Sequence, residues 1–552
     1  MSTNSAVAGF ESTFADELGA LAVPWQGVHV PDPKLLALNE RLAVSLGWDV
    51  EVLRSEAGVG VLSGSTAPAG ATPVAMAYAG HQFGGYAPLL GDGRALLLGE
   101  VVGSDGRRVD LHLKGSGPTP FSRGGDGYAV LGPMLREYLV SEAIHALGIP
   151  TTRALSVVAT GRRVRRDGAQ PGAVLARVAA SHLRVGTFEF AARQEGVLQR
   201  LADYAIARHY PEVAELPATG EGSRYLAFFE AVVEAQAALV AQWTLTGFVH
   251  GVMNTDNTTI SGQTIDYGPC AFLDAFDPAA VFSSIDHSGR YAFGNQPAVL
   301  KWNLARFAET LLPLIDTTPE NAIGAVSAVL DTFEERYEGH YAAGMAAKLG
   351  AAGTLLDRAL VDDLLRLMAG HGADWTGSFR ALAEELRGHS TPLHALIPRE
   401  RMGPWVQRWR GALTAQGREA VATADAMDRV NPLYIPRNHQ LDAALRAATD
   451  GEFAPFEKLL DVVTHPCPAV VQRNLPNLLR HLTPECTPPG TTVFVPGGGY
   501  VVGDAPRGTT AADPAEAPPS TRTQVGRVQP SLPAPRSGAL MSPVPGMPSA
   551  SA

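Results

Sequence analysis

Asp256, Asn257 and Asp266, in the run DNTTISGQTID, have the types and spacing for metal-assisted transfer chemistry. The β-branched triplets TTI and QTI flank Ser261-Gly262, a two-residue turn signal, so a hairpin is expected there. Pairing Ile260 with Gln263 also pairs Asn257 with Asp266. An amide oxygen and a carboxylate would then face each other, and both are hard ligands suited to Mg²⁺. Asp256, beside them, can accept a proton from an attacking hydroxyl or position it. The same residue types crowd ordinary turns, and turn chemistry alone would also account for them.

A second group has the chemistry to hold phosphates. In RRVDLHLKG (107–115), Val109, Leu111 and Leu113 alternate with Asp110, His112 and Lys114, which puts Lys114 on the face opposite the apolar residues. RALLLGEVV (94–102) precedes it across Gly103-Ser104-Asp105-Gly106, so the two segments read as a strand hairpin. Pairing 102 with 107 sets Lys114 opposite Ala95, beside the turn Gly91-Asp92-Gly93-Arg94. Backbone amides at Gly91 and Gly93, with the Arg94 guanidinium, can approach a phosphate, though an ordinary turn has the same composition. Asp126 and Gly127 lie in a second glycine-rich loop, SRGGDGYAVLGP (122–133), which suits either a ligand or solvent. A helix should follow, opened by Pro133 and closed by Gly148. On it Glu137, Val140, Ile144 and Leu147 share one side, so Glu137 points inward. Arg177 and Arg184 are seven apart and would share a helix face, either gripping a polyphosphate or solvated. A strand lysine with a helix glutamate is how kinases orient a phosphate-binding lysine. The order of parts is the kinase plan, without an HRD or DFG spelling.

The elements that must position these residues come from a chain of ordinary globular composition. It has 552 residues, 45% of them hydrophobic, and a net charge of −11 from 44 Lys+Arg against 55 Asp+Glu. That balance, with no long basic run, argues against nucleic acid or an anionic membrane as a main partner. Three cysteines without a CxxC pair (Cys270, Cys467, Cys486) support neither a disulfide framework nor a cysteine zinc site. The N-terminal segment lacks signal-peptide character, and no later segment reads as a membrane span, so a cytoplasmic protein is expected. Mixed strands and helices occupy about 90–190. A long apolar helix is expected from about 225 to 249, and helices dominate after 285. Residues 466–503 are rich in breakers, and 504–552, with ten prolines and no lysine, read as a disordered tail.

Several runs closely resemble the selenoprotein O / YdiU family: YAGHQFGGYAPLLGDGRALLLGE (78–100), DLHLKGSGPTPFSRGGDGYAVLGPMLREYLVSEAIHALGIPTTRALSVVATG (110–161), HGVMNTDN (250–257) and IDYGPCAFLDAFDP (265–278). FSSIDHSGRYAFGNQPAVLKWNLARFAETLLPLI (282–315) and NPLYIPRNHQL (431–441) extend the resemblance over roughly 9–465. It implies an α+β, protein-kinase-like bilobal fold with an extended helical C-terminal portion. The catalytic body would span 1–465, with a nucleotide-binding lobe at about 60–185 and a mainly helical lobe at about 186–465. It also implies transfer of AMP from ATP, bound in a flipped orientation, to hydroxyl side chains of proteins, with Mg²⁺ or Mn²⁺. By motif, Asp256 would be the catalytic acceptor, and Asn257 and Asp266 the metal ligands. Gly91, Gly93, Arg94, Lys114, Asp126, Gly127, Arg177 and Arg184 would contact the nucleotide, with Glu137 partnering Lys114. UMP transfer from UTP with Mn²⁺, ordinary phosphoryl transfer and a silent ATP-binding regulator are the other readings. The resemblance fails at the C-terminal end. Family members carry a cysteine or selenocysteine close to the terminus, whereas the last cysteine here, Cys486, precedes a long Pro/Ala/Ser stretch, so a redox role is not carried over.

Overall fold

The computed structural model describes residues 9–218, 223–351, 353 and 357–467, and the backbone of 492–495 and 499–502. The chain divides into two units, 1–504 and 505–552, and all described residues fall in the first. The disordered-tail reading of 504–552 and the position of Cys486 lie outside the described residues.

Strand-forming segments in the first half build a nine-stranded antiparallel sheet. Its main path runs Ala22–Pro24, Val74–Met76, Ala95–Val102, Arg108–Lys114, Gly168–Ala179, Arg153–Arg166 and Lys34–Leu38. Phe10–Glu11 pairs alongside Ala95–Val102, and Ala129–Val130 alongside Gly168–Ala179. Lys114 does pair with Ala95, but by a different route from simple counting. Next to the turn Val102 pairs with Arg108, and a bulge between Leu97 and Gly99 shifts the register by one. Glycine suits that bulge because Gly99 has φ +150°, and a Cβ there would lie 2.7 Å from the carbonyl oxygen of Glu11.

Both faces of the sheet are covered. Leu111 and Leu113 pack with Leu96, Leu98, Val174 and Ala176 against Leu42, Leu53 and Leu62 of three short N-terminal helices. The other face carries Leu97, Val157 and Leu175 and meets the helix Leu131–Ala146. Asp110, His112 and Lys114 point to that second face, so the polar half of the alternation enters the interior. The helix begins as read, with Pro133 in its first turn, and Gly148 beyond its end has φ +79°. It is buried on more than the Glu137 side because Asn438–Thr449 and Ala454–Val463 also pack on it.

The second half is helical as expected, giving an α+β chain. Arg224–Thr246 is the long central helix, and it is long and apolar enough to cross a membrane by length and composition. Here Phe228, Phe229, Val232, Val233 and Val240 are buried in protein, joining Phe307 and Leu304 of Gln296–Ile315 in the main core. Each such burial is worth about 1.5–3 kcal/mol relative to exposure. A second core forms around Trp375, Phe379, Trp405 and Trp409. Within 466–503, Thr492–Val495 and Gly499–Val502 form an antiparallel ladder.

Candidate active site

Five of the charged residues singled out from sequence meet in one place. Lys114 Nζ donates to Glu137 Oε2 at 2.6 Å and to Asp266 Oδ1 at 2.8 Å. Arg177 Nη1 donates to the same Asp266 oxygen at 2.6 Å and to Glu137 Oε1 at 3.1 Å. Arg184 Nη1 reaches Asp266 Oδ2 at 2.6 Å and the backbone oxygen of Asp256 at 2.6 Å. Three cations thus surround two carboxylates, leaving net positive charge in a buried site. Burial by itself would raise the Asp266 carboxyl, but Lys114, Arg177 and Arg184 outweigh it and hold the group well below the usual range. Asp266 has φ +60°, a left-handed conformation rare for a residue with a Cβ. The contacts to three cations hold it there.

Asp256 has the opposite environment. It lies in the 3₁₀ turn Thr255–Asn257, and its carboxylate receives one side-chain hydrogen bond, from Gln82 Nε2 at 3.0 Å. Its Oδ1 is buried without a partner, against the backbone of Gly80, where a Cβ would come within 2.7 Å. Burial pushes its pKa up to about 6, with Gln82 and Arg184 only partly opposing that rise. A carboxylate poised there can take a proton from a hydroxyl near neutral pH.

Three readings from sequence need correction. The hairpin around Ser261-Gly262 does not form. Thr259 bridges to Arg184 and Thr264 to Thr151, while Thr259 Oγ1 closes the turn by bonding the backbone of Gln263. Asn257 is therefore not a cross-strand partner of Asp266, and its Nδ2 donates to the Val252 carbonyl at 3.0 Å. Arg177 and Arg184 do not share a helix face. Arg177 lies on the strand Gly168–Ala179 and Arg184 is the residue before the helix Val185–Ala191, and they converge because both reach Asp266.

The glycines have packing roles. Gly91 (φ +67°) and Gly93 approach Phe121, where a Cβ would lie 2.4 Å from the ring and 2.9 Å from the carbonyl oxygen respectively. Arg94 is exposed, and its carbonyl accepts from the Gly115 amide at 2.7 Å, which places the turn next to Lys114. Gly127 sits tight against Pro118. Asp126 is half-exposed and pairs with Arg166 at 2.8 Å, outside the Asp266 cluster.

Sequence reasoning missed the residues that support this site. Gln82 touches Asp256 from far away in the chain, a contact that no local pattern announces. Glu189 accepts from Thr255 Oγ1 at 2.7 Å and contacts His81 Nδ1 at 2.5 Å, fixing the turn that carries Asp256. Asp92 and His112 back the Asp266 cluster from inside the sheet. The alternation that placed Lys114 also placed His112 on its face, and that was the available signal.

Among the described residues no group of three or more His, Cys, Asp or Glu encloses a metal. A hard cation still suits the donors present. Asn257 donates through Nδ2 and so keeps its Oδ1 as an acceptor, and Asp266 is ionised. Three cations around Asp266 repel a bare divalent ion, so the set fits a metal that arrives with phosphates and water as its other ligands.

A model of the family described as protein adenylyltransferase SelO matches residues 8–464. The chain is 82% identical over 464 residues to the protein nucleotidyltransferase YdiU of Rhodococcus jostii, covering 84% of this chain and 90% of that protein. It is 56% identical over 473 residues to the protein of the same name in Mycolicibacterium smegmatis, covering 84% and 94%. For Cereibacter sphaeroides the identity is 54% over 470 residues, covering 84% and 95%. On these matches the chain belongs to the SelO/YdiU family of nucleotidyltransferases.

Proposed function

We propose that this chain transfers AMP from ATP to hydroxyl side chains of target proteins, on a protein-kinase-like scaffold. The observation that carries the reading is the convergence of Lys114, Arg177 and Arg184 on Asp266, with Arg184 also touching the backbone of Asp256. A site for a polyanion and a candidate base therefore adjoin. The three cations stabilise charge on the phosphates, and Glu137 keeps Lys114 and Arg177 directed. By the family pattern Gly91, Gly93, Arg94 and Gly127 would add nucleotide contacts, and Asp126 would do so on leaving Arg166. Asn257 and Asp266 would hold Mg²⁺ or Mn²⁺, which when bound supplies further neutralisation of phosphate charge. Asp256 Oδ1 takes the proton of the target hydroxyl as its oxygen bonds the α-phosphorus, and the bond to pyrophosphate breaks. The relatives' name leaves the nucleotide open, so UMP transfer from UTP with Mn²⁺ is the second reading.

ATP labelled separately at the α and γ positions tests this. α-Label should become covalently attached to protein when Mg²⁺ or Mn²⁺ is present, and γ-label should not. Stable γ-label would indicate a kinase, and stronger transfer from α-labelled UTP would favour the second reading. Tight ATP binding with no label across a broad extract of candidate substrates would leave a silent regulator.

A further inference from the structure

We propose that His112 is a positioning residue, a neutral acceptor that aims Arg177 at Asp266 and Glu137 and ties it to Asp92 in the Gly91–Arg94 turn. His112 lies two residues before Lys114 on the same strand face, directly across from Arg177 on the neighbouring strand. Its side chain is fully buried. Arg177 Nη2 stands 3.1 Å from His112 Nδ1. A guanidinium can only donate, so Nδ1 must be the acceptor and the ring proton must sit on Nε2. Nε2 is 3.1 Å from Asp92 Oδ2 and donates to it. Asp92 in turn accepts from the Met76 amide at 3.0 Å, and its carbonyl accepts from Thr119 Oγ1 at 2.6 Å. One imidazole therefore joins the glycine turn to the arginine of the phosphate site.

The chemistry of the acceptor matters. A carboxylate at position 112 would also bond Arg177, but it would cancel charge that an anionic ligand needs. A neutral imidazole fixes the guanidinium and leaves its charge intact. Burial lowers the His112 pKa, and Arg177 and Arg184 act in the same direction against Asp92. His182 stacks on the ring at 4.1 Å and 18°, and is itself held by Asp110, whose Oδ2 lies 3.0 Å from its Nδ1. The imidazole plane is thus fixed from the side as well as at both nitrogens.

The activity arm of the test rests on the nucleotide-transfer reading, and the spectroscopic arm does not. His112→Asn keeps an acceptor near the Nδ1 position and loses the reach to Asp92, whereas His112→Gln keeps a donor toward Asp92 and leaves Arg177 Nη2 without its acceptor. If the imidazole serves to aim Arg177, the Asn variant should stay within roughly tenfold of the native kcat/KM and ATP affinity. The Gln variant should fall by roughly 10- to 100-fold at similar thermal midpoint, the effect of losing a hydrogen bond to a charged group. Equal losses in both, or a better Gln than Asn variant, would overturn the assignment. In full-length protein with ¹⁵N-labelled histidine, the resonances lost in both variants should report an Nε2–H neutral ring. An Nδ1–H tautomer or an imidazolium would overturn it even if no transfer activity is found, and absence of transfer in the native protein with the expected tautomer would count against the nucleotide reading alone.

Discussion

Asp256 and Asp266 are ten residues apart on one short stretch, yet the fold drives their carboxyls in opposite directions. Asp266 receives three cationic donors and is held ionised far below its ordinary range. Asp256 receives one amide, keeps an orphaned oxygen, and is pushed up to about 6. Asp256 is buried and the Asp266 side chain is only 19% exposed, so burial alone does not separate them; the placement of Lys114, Arg177 and Arg184 does. The difference sorts the two acids by role. A permanently ionised group suits holding charge, and a group titrating near neutrality suits moving a proton.

The largest effect should come from breaking the Asp266 side. Asp266→Ala removes the carboxylate that organises Lys114, Arg177 and Arg184 and one of the few protein oxygens available to a metal-nucleotide. Transfer of α-label and metal-dependent ATP binding in calorimetry should both collapse. A folded Asp266→Ala protein that transfers label at the native rate would show that the cluster is only a structural ion pair network.

Asp256→Asn sharpens the comparison. Transfer should fall by ~10²–10⁴-fold while much of the ATP affinity remains, because the change removes a base and spares the cations. Its stability should move the other way from that of Asp266→Asn. A carboxyl whose folded pKa is raised from 3.8 to about 6 keeps its proton longer when folded, so folding loses stability as pH rises between those values. The loss is about 3 kcal/mol at most above pH 6, and neutral Asn avoids it. Asp266 has a lowered folded pKa, so its contribution is present above about pH 4 and lost as pH falls. At pH 8 the thermal midpoint should rise for Asp256→Asn and drop for Asp266→Asn. Midpoints moving the same way would sink the contrast. Transfer by the native protein should in parallel increase through pH 6.

The contrast between these two acids was only half legible in the sequence. Local patterns gave the lysine strand, the glutamate helix and the long helix, because alternation, Pro133 and Gly148 act over a few residues. Lys114 landed opposite Ala95 despite a bulge that counting did not include. The Ser261-Gly262 hairpin failed because Thr259 and Thr264 take distant partners, Arg184 and Thr151, and nothing near them in the chain announces that. The spacing of Arg177 and Arg184 suggested a shared helix face, whereas an interior strand and a helix start bring them to one carboxylate. His112 and Asp92 meet only where the strand packs on the turn, and the burial of a polar strand face is set by the second covering layer of the sheet, which no local pattern carries.

The smallest effect concerns Asp126, which the family pattern places at the nucleotide although here it lies outside the cluster. It pairs with Arg166 in a half-exposed ion pair, with the Tyr128 amide at 3.1 Å as a further donor. The hydrogen bonds from Arg166 lower its pKa more than burial raises it. Such a pair contributes about 0–1 kcal/mol because solvent screens it. Arg166→Ala should therefore leave the thermal midpoint within a few degrees of native. If Asp126 turns toward the nucleotide, it must first leave Arg166, and removing that competitor should tighten ATP binding by up to about fivefold. Calorimetric titration of Arg166→Ala beside Asp126→Ala checks this. Tighter binding in the first and weaker in the second would place Asp126 at the ligand, and native affinity in both would leave Asp126 and Arg166 as a surface pair at the loop.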